Sequence, residues 1–290
     1  MRIPESEFIL NKDGSIYHLN LFPEDIATTI IVVGDPERVS KVSNQFDEVI
    51  LKKQKREFVT HTGFYKKKKL TVISTGIGTD NIDIVLNELD ALVNIDFNTR
   101  EVKEKCTSLN IIRIGTSGSL QPEIKVDDFL LSSYAVGFDG LLHFYDSEKI
   151  QNTNIQEAIK KHTSWFYKKS EPYVVICSPI LASIFKHKNV HEGFTATAVG
   201  FYGPQSRKLR LEVQDPLLNE KLTSFNYQGL QITNLEMETA GIYGLALLLG
   251  HHAVSLNCIL ANRPNRTFSS NGEVSMDRLI KFVLDRLAFS

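Results

Sequence analysis

The chain is 290 residues long, 42% of them hydrophobic, and carries a formal net charge of −1. That length supports one large core, and the near-neutral charge argues against nucleic acid as the main partner, because binding a phosphate backbone needs a basic excess. Three cysteines, Cys106, Cys177 and Cys258, match no zinc or redox spacing and fit a reducing, cytoplasmic setting.

Residues 1–28 are polar and irregular around a small apolar patch, Tyr17-His18-Leu19-Asn20-Leu21. Arg2, Glu5 and Glu7 leave no apolar core for a secretory signal. On local grounds His18 reads as a surface or capping histidine. Thr29-Ile30-Ile31-Val32-Val33 is a β-branched run and predicts a buried strand. Gly34-Asp35-Pro36-Glu37-Arg38-Val39 then predicts a turn, a capping aspartate and a helix opened by proline, with Arg38 in its first turn. Either Arg38 is solvated there or it helps hold an anion.

Residues 56–63 alternate as a strand and 70–75 return as a second one, with a solvated tip at 66–69. The loop Thr75-Gly76-Ile77-Gly78-Thr79 precedes a helix whose apolar face is Ile82, Val85, Leu86, Leu89 and Val93. Its glycines lack the dinucleotide-binding spacing, which excludes a Rossmann cofactor site. Residues 97–109 form a charged connection.

Residues 111–120, Ile-Ile-Arg-Ile-Gly-Thr-Ser-Gly-Ser-Leu, begin as a buried strand and end in glycines and hydroxyls. Backbone N–H groups, hydroxyl donors and an arginine fork suit an oxyanion at the carboxyl end of a strand. Alternatively, Arg113 pairs with a buried carboxylate and the glycines only turn the chain.

Residues 126–136 predict a strand after a turn at Asp127-Asp128, 157–162 a helix, 173–177 an extended segment and 195–199 a strand. Phe201-Tyr202-Gly203-Pro204-Gln205-Ser206-Arg207 follows. Phe201 can stack on a planar ring, Gln205 offers a donor and an acceptor, and Arg207 offers donors, so the set can read an acceptor-rich heterocycle; the alternative is a plain polar loop. Ile232-Thr233-Asn234-Leu235-Glu236-Met237-Glu238-Thr239-Ala240-Gly241 joins a strand to a helix of small residues. Its two carboxylates suit a vicinal diol, a helix N-terminus that favours acids, or glycoside hydrolysis. The most apolar region, 240–260, is broken by Gly250, His251 and His252 and predicts a buried helix followed by a strand, not a membrane span. Met276, Leu279, Ile280, Val283 and Leu287 give the last helix one apolar face. No linker, repeat or low-complexity segment divides the chain, so residues 1–290 read as a single α/β domain.

Taken in order, Gly-Asp-Pro-Glu-Arg-Val (34–39), Arg-Glu-Phe (56–58), Ser-Thr-Gly-Ile-Gly (74–78), Arg-Ile-Gly-Thr-Ser-Gly (113–118), Phe-Tyr-Gly-Pro-Gln-Ser-Arg (201–207) and Glu-Met-Glu-Thr-Ala (236–240) resemble the nucleoside phosphorylase family of the hexameric and uridine phosphorylase type. The resemblance spans residues 17–288. It implies a three-layer α/β/α sandwich around a mixed, partly barrelled sheet. It implies that Gly34, Arg38, Arg113 and Thr116 bind phosphate, with Ser117 and Gly118 of the same loop among the substrate contacts. Arg56 resembles the arginine that a neighbouring subunit adds to that phosphate, and His18 the histidine sent across the interface to the ribose 5′-hydroxyl. Met237 and Glu238 match the ribose contacts, with Glu236 nearby, and Phe201, Gln205 and Arg207 match the uracil pocket.

The activity implied is reversible phosphorolysis of uridine to uracil and ribose 1-phosphate, in pyrimidine salvage, with Arg113, Arg207 and Glu238 as the catalytic set. Nucleoside and phosphate are the partners, with no nucleic acid, membrane, metal or organic cofactor. A homodimer is the minimum working unit, and a hexamer of three dimers is the larger assembly. In some relatives a serine, together with the glutamate matching Glu57, holds a monovalent cation between subunits; Asn81 stands at the serine position here. Purine-specific relatives place an aspartate where this chain has Leu260-Ala261-Asn262-Arg263, which favours a pyrimidine. The rival readings are a phosphorylase of deoxyuridine, thymidine or inosine, and a silent nucleoside-binding protein.

Overall fold

The computed structural model describes residues 1–289. The first strand, β1 (Thr29–Val33), is buried along its whole length and lies between two parallel neighbours, β4 (Lys68–Ser74) and β7 (Asn110–Ser119). A strand covered on both faces needs the unbroken β-branched run seen at 29–33. Helix α1 (Pro36–Ser43) starts where expected: Asp35 accepts from the Glu37 amide at 2.9 Å, and Pro36 occupies the first turn.

Strands β2 (Glu48–Lys55) and β3 (Phe58–Tyr65) complete one side of the sheet. Burial alternates along β2, and its lysines blunt the exposed edge. The strand expected over 56–63 therefore starts later: Arg56 sits in the β2–β3 turn at φ 55°. Lys66 and Lys67 turn the next hairpin, both in the left-handed region. Helix α2 (Thr79–Asn94) buries Ile82, Val85, Leu86 and Leu89. The charged connection beyond it holds a small separate hairpin, β5 (Ile95–Asp96) with β6 (Glu101–Val102).

The second half contains β8 (Phe129–Gly137), α3 (Thr153–Thr163), β9 (Tyr173–Ile176), α4 (Pro179–Phe185), β10 (Val190–Thr197), α5 (Leu218–Ser224), β11 (Asn226–Tyr227), β12 (Leu230–Glu236), α6 (Thr239–Leu249), β13 (His252–Asn262), β14 (Thr267–Phe268) and α7 (Gly272–Ala288). The main sheet has 12 strands among the described residues and runs β11-β12-β10-β8-β13-β7-β1-β4-β3-β2, with β9 on β8 and β14 on β13. Strands β8, β10 and β12 are mutually parallel, as are β13, β7, β1 and β4; the two sets meet antiparallel. An additional antiparallel pairing, Asn234 with Ser119 and Leu235 with Gly118, joins β12 back to β7. That pairing closes β7, β13, β8, β10 and β12 into a partial barrel, as the resemblance implied. The helices flank this sheet in the α/β/α arrangement.

Helix α6 is buried through its first eight residues and apolar on all sides, as a core helix must be. Helix α7 buries the five residues that its periodicity singled out. No helix among the described residues is long and apolar enough to cross a membrane.

Candidate active site

A cavity of about 820 Å³ opens where the two strand sets meet. Its wall takes Gly34 after β1, Gly76 after β4, Thr116, Ser117 and Gly118 at the end of β7, and Glu236, Met237 and Glu238 at the β12–α6 junction. Arg38, Arg113, Phe201, Gln205 and Arg207 line it too, so that all of the predicted set except Arg56 and His18 meets here. The strand ends thus bring together residues spread over 205 sequence positions.

Arg113 decides the electrostatics. Its side chain is buried and runs along β7 over Gly115, where a Cβ would lie 1.9 Å from Nη1. Nη2 donates to Glu238 Oε2 at 2.6 Å and lies 3.1 Å from Glu236 Oε2. Nη1 donates to Asn257 Oδ1 at 2.8 Å and to Ser255 Oγ at 3.4 Å. The pairing with buried carboxylates is thus present, and the same side chain also lines the cavity. Burial disfavours the guanidinium charge, but Glu236 and Glu238 outweigh it and raise the pKa. Burial acts on Glu238 in the other sense. It lifts the carboxyl above its usual range, Arg113 opposes this, and Glu236 adds to it.

The two acids do different work. Glu236 Oε1 accepts from Thr197 Oγ1 at 2.6 Å, and Oε2 accepts the amides of Glu238 and Thr239 at 2.9 Å, so it ties β12 to the start of α6. Glu238 Oε1 accepts from the Gly78 amide at 2.9 Å. Gly78 holds φ at 97°, a conformation that aims this N–H inward at little cost only for glycine.

Arg38 is half-buried and donates to the Ile114 carbonyl at 3.4 Å. Burial first, then the charge of Arg113, depresses its pKa. Arg38 thus brings a partly desolvated guanidinium to the glycine and hydroxyl loops, while the charge of Arg113 is met by Glu236 and Glu238. Glu57 and Asn81, the side chains matched to a monovalent cation, line the cavity beside Gly76 and bring one carboxylate and one amide to it.

In the 201–207 loop, Gly203–Gln205 forms a short 3-10 turn and Ser206 takes a left-handed φ of 53°. This returns Arg207 over Phe201, with its guanidinium 3.9 Å from the ring centroid. Arg207 Nη1 donates to the Phe201 carbonyl at 2.8 Å and to Gln205 Oε1. Gln205 is buried, and its backbone carbonyl accepts from Asn219 at 2.9 Å and from Arg263 Nη2 at 2.5 Å. Burial, then the nearby Arg263 charge, brings the Arg207 pKa down to about 10, so it stays charged at neutral pH. In the stretch lacking the purine-type acid, Leu260 and Ala261 line the cavity. Asn262 instead staples a turn, donating to the Gln121 and Ile124 carbonyls at 2.9 and 2.8 Å.

Two predicted residues lie away from this wall. Arg56 is exposed at the β2–β3 tip. His18 is half-buried, with Nδ1 2.7 Å from Glu88 Oε1, and its backbone amide also donates to that carboxylate. Sequence reasoning passed over Phe268, an exposed aromatic at the cavity edge, and the buried pair Ser255 and Asn257 behind Arg113. Phe268 carries no motif. The pair had a signal: two polar residues two apart in an otherwise apolar strand.

Residues 28–288 match the model of the Phosphorylase superfamily. A uridine phosphorylase of Thermococcus kodakarensis is 30% identical over 268 residues, covering 90% of this chain and 83% of that protein. A purine nucleoside phosphorylase DeoD-type of Hahella chejuensis is 26% identical, covering 82% of this chain and 83% of that protein. Among solved structures, a Trypanosoma brucei nucleoside phosphorylase, described as showing uridine phosphorylase activity, superposes with a TM-score of 0.89 at 28% identity, covering 98% of this chain and all of that one. The chain belongs to the phosphorylase superfamily.

Proposed function

We propose that this member of the phosphorylase superfamily cleaves uridine with inorganic phosphate, reversibly, to uracil and ribose 1-phosphate. One observation carries the reading: a single cavity holds the Arg38–Arg113 pair beside glycine and hydroxyl loops, the Met237–Glu238 segment, and the Phe201–Gln205–Arg207 cluster. These are the three chemistries that an anion, a sugar diol and a flat, acceptor-rich base require.

In this reading phosphate sits against Arg38, Arg113 and the loops at Gly34 and Thr116. Its oxygen attacks the anomeric carbon as the glycosidic bond breaks, and the bonding electron pair leaves with the base. Arg207 faces the negative charge growing on uracil, and Gln205 pairs with the base edge; a hydrogen bond to an ionised group is about twice as strong as a neutral one. Glu238, held by Arg113 and Gly78, accepts from the ribose hydroxyls beside Met237. The same residues hold the reactants in line, the larger part of catalysis when phosphate itself is the nucleophile.

Arg56 and His18 enter from a second copy of the chain. Their placement outside the cavity of their own chain supports this, as does the exposed apolar rim of Ile77, Phe201 and Phe268.

Phosphorus NMR of protein, uridine and inorganic phosphate tests the reading. A growing ribose 1-phosphate signal matched by free uracil is expected. Free ribose with unchanged phosphate would indicate hydrolysis and remove the arginines from the reaction. Uridine bound but uncleaved would indicate a nucleoside-binding protein.

A further inference from the structure

The buried polar residues behind Arg113 form a chain whose direction can be worked out. Ser255 and Asn257 of β13 lie opposite Arg113 and Gly115 of β7 in the parallel register. Arg113 Nη1 donates to Asn257 Oδ1 at 2.8 Å, and Asn257 Nδ2 donates to Ser132 Oγ at 3.3 Å. Ser132 and Thr195 share a hydrogen bond of 2.5 Å, Thr195 Oγ1 donates to Asn234 Oδ1 at 2.8 Å, and Asn234 Nδ2 donates to Ser117 Oγ at 2.9 Å. Ser117 stands four residues beyond Arg113 on the same strand and lines the cavity. The chain thus leaves β7 at Arg113 and rejoins it at Ser117, after visiting β13, β8, β10 and β12. None of its side-chain atoms is left unpaired among the described residues.

An arginine only donates. Asn257 must therefore turn its oxygen to Arg113 and its nitrogen to Ser132. Ser132 accepts there and donates to Thr195, and Thr195 donates to Asn234. Asn234 in turn gives its nitrogen to Ser117. At the far end Ser117 is an acceptor, and its own hydrogen remains for a group in the cavity.

We propose that Asn257 is a positioning residue for the phosphate end of the site, fixing the pose of Arg113 and directing the Ser117 hydroxyl hydrogen into the cavity. The proposal rests on the phosphorolytic reading above. A neutral amide suits this place. It holds Nη1 without adding a third carboxylate to Glu236 and Glu238, so the local charge stays tolerant of an anion. An aspartate would accept from Ser132, reverse the Ser132 and Thr195 hydroxyls and, with the Asn234 amide turned over to donate to Thr195, draw the Ser117 hydrogen onto Asn234 Oδ1 and away from the cavity.

The test measures phosphate binding by calorimetry on the full chain, beside steady-state constants for phosphate and uridine. N257A is expected to weaken phosphate by about tenfold or more, the scale of one hydrogen bond to a charged group, and N257D to weaken it further. The uridine KM should stay within about twofold, and S117A should cost less in N257A than in the wild type, because the two sites are coupled. A purely structural role would move both KM values together and give additive effects. If N257A does not fold, S132A breaks the chain one link on, and unchanged phosphate binding in that variant overturns the proposal. Unchanged phosphate constants in N257A, with normal uridine cleavage by the wild type, overturn it alone. Wild-type protein that binds phosphate but leaves uridine intact overturns the proposed reaction, while the calorimetric comparison still tests Asn257. Wild-type protein that does not bind phosphate overturns both.

Discussion

Arg113 pairs with Glu236 and Glu238 and lines the cavity, and substitutions should separate that structural load from the chemical one proposed for it. Arg113→Ala leaves two buried carboxylates without a counter-charge and should cost about 3–5 kcal/mol of stability, with a steep rise in phosphate KM. A chemical denaturation series alongside phosphate kinetics checks both effects, and unchanged phosphate kinetics would remove Arg113 from the site. Gly115→Ala reaches the same guanidinium from its own strand. A Cβ 1.9 Å from Nη1 must dislodge it, at a cost of about 1–3 kcal/mol and with a parallel loss of phosphate affinity. At the base end, Gln205→Leu should lower kcat/KM for uridine roughly 10- to 100-fold, the price of one unmet pair of polar contacts, and leave the phosphate KM largely unmoved. Equal losses for both substrates would point to a collapsed loop instead. The motif residues themselves were readable, because glycines, arginines and acids in fixed order carry the resemblance. Asn257 and Ser255 show in the sequence only as a polar pair in an apolar strand, and nothing local distinguishes a pair that supports an arginine from one that only crosses a barrel.

Elements with a strong period are legible in the sequence. The run at 29–33 became β1, the capping aspartate and proline became the start of α1, and the five apolar positions of α7 are buried. Strand β2 escaped notice because charged and apolar residues alternate along an edge, and α4 because its seven residues are too few to show a face. The tip at 66–69 is solvated at Lys66 and Lys67, as expected, and it is also tied down. Lys66 Nζ and Tyr65 Oη each lie 2.7 Å from Asp285 Oδ1 on α7, and Lys281 Nζ lies 3.2 Å from Oδ2. These bonds, from Lys66 first and then Tyr65, bring the Asp285 pKa down to about 2. A carboxyl depressed in the folded state stabilises above its unfolded pKa, near 3.9, and loses that contribution as pH falls through its folded value. Because the pair is substantially exposed, Asp285→Asn should cost only about 0.2–1 kcal/mol at pH 7. The gap between variant and wild type in thermal unfolding should close between pH 4 and pH 2, and a gap that persists at pH 2 would assign the effect to packing.

For the whole molecule, the partial barrel brings the carboxyl ends of β1, β4 and β7 against the β12–α6 junction, and the site exists only because β12 closes on β7 through Asn234 and Leu235. That closure pairs strands far apart in sequence and could not be read from local pattern; it entered only as what the family resemblance implied. The proposed sharing of Arg56 between two chains makes a further prediction. Arg56→Ala and Arg113→Ala, each strongly impaired alone, should recover part of the activity when unfolded together and refolded, because a mixed dimer holds one site with both arginines intact. No recovery in refolded mixtures that contain the mixed dimer would place each site within one chain. The most direct measurement of the central claim is ultraviolet absorbance of the wild-type protein with uridine, with and without inorganic phosphate, beside inosine as a parallel substrate. Loss of uridine absorbance only when phosphate is present, with inosine untouched, is the predicted result. Loss of uridine without phosphate would contradict the role given to Arg38 and Arg113, and cleavage of inosine in place of uridine would contradict the role given to Gln205 and Arg207.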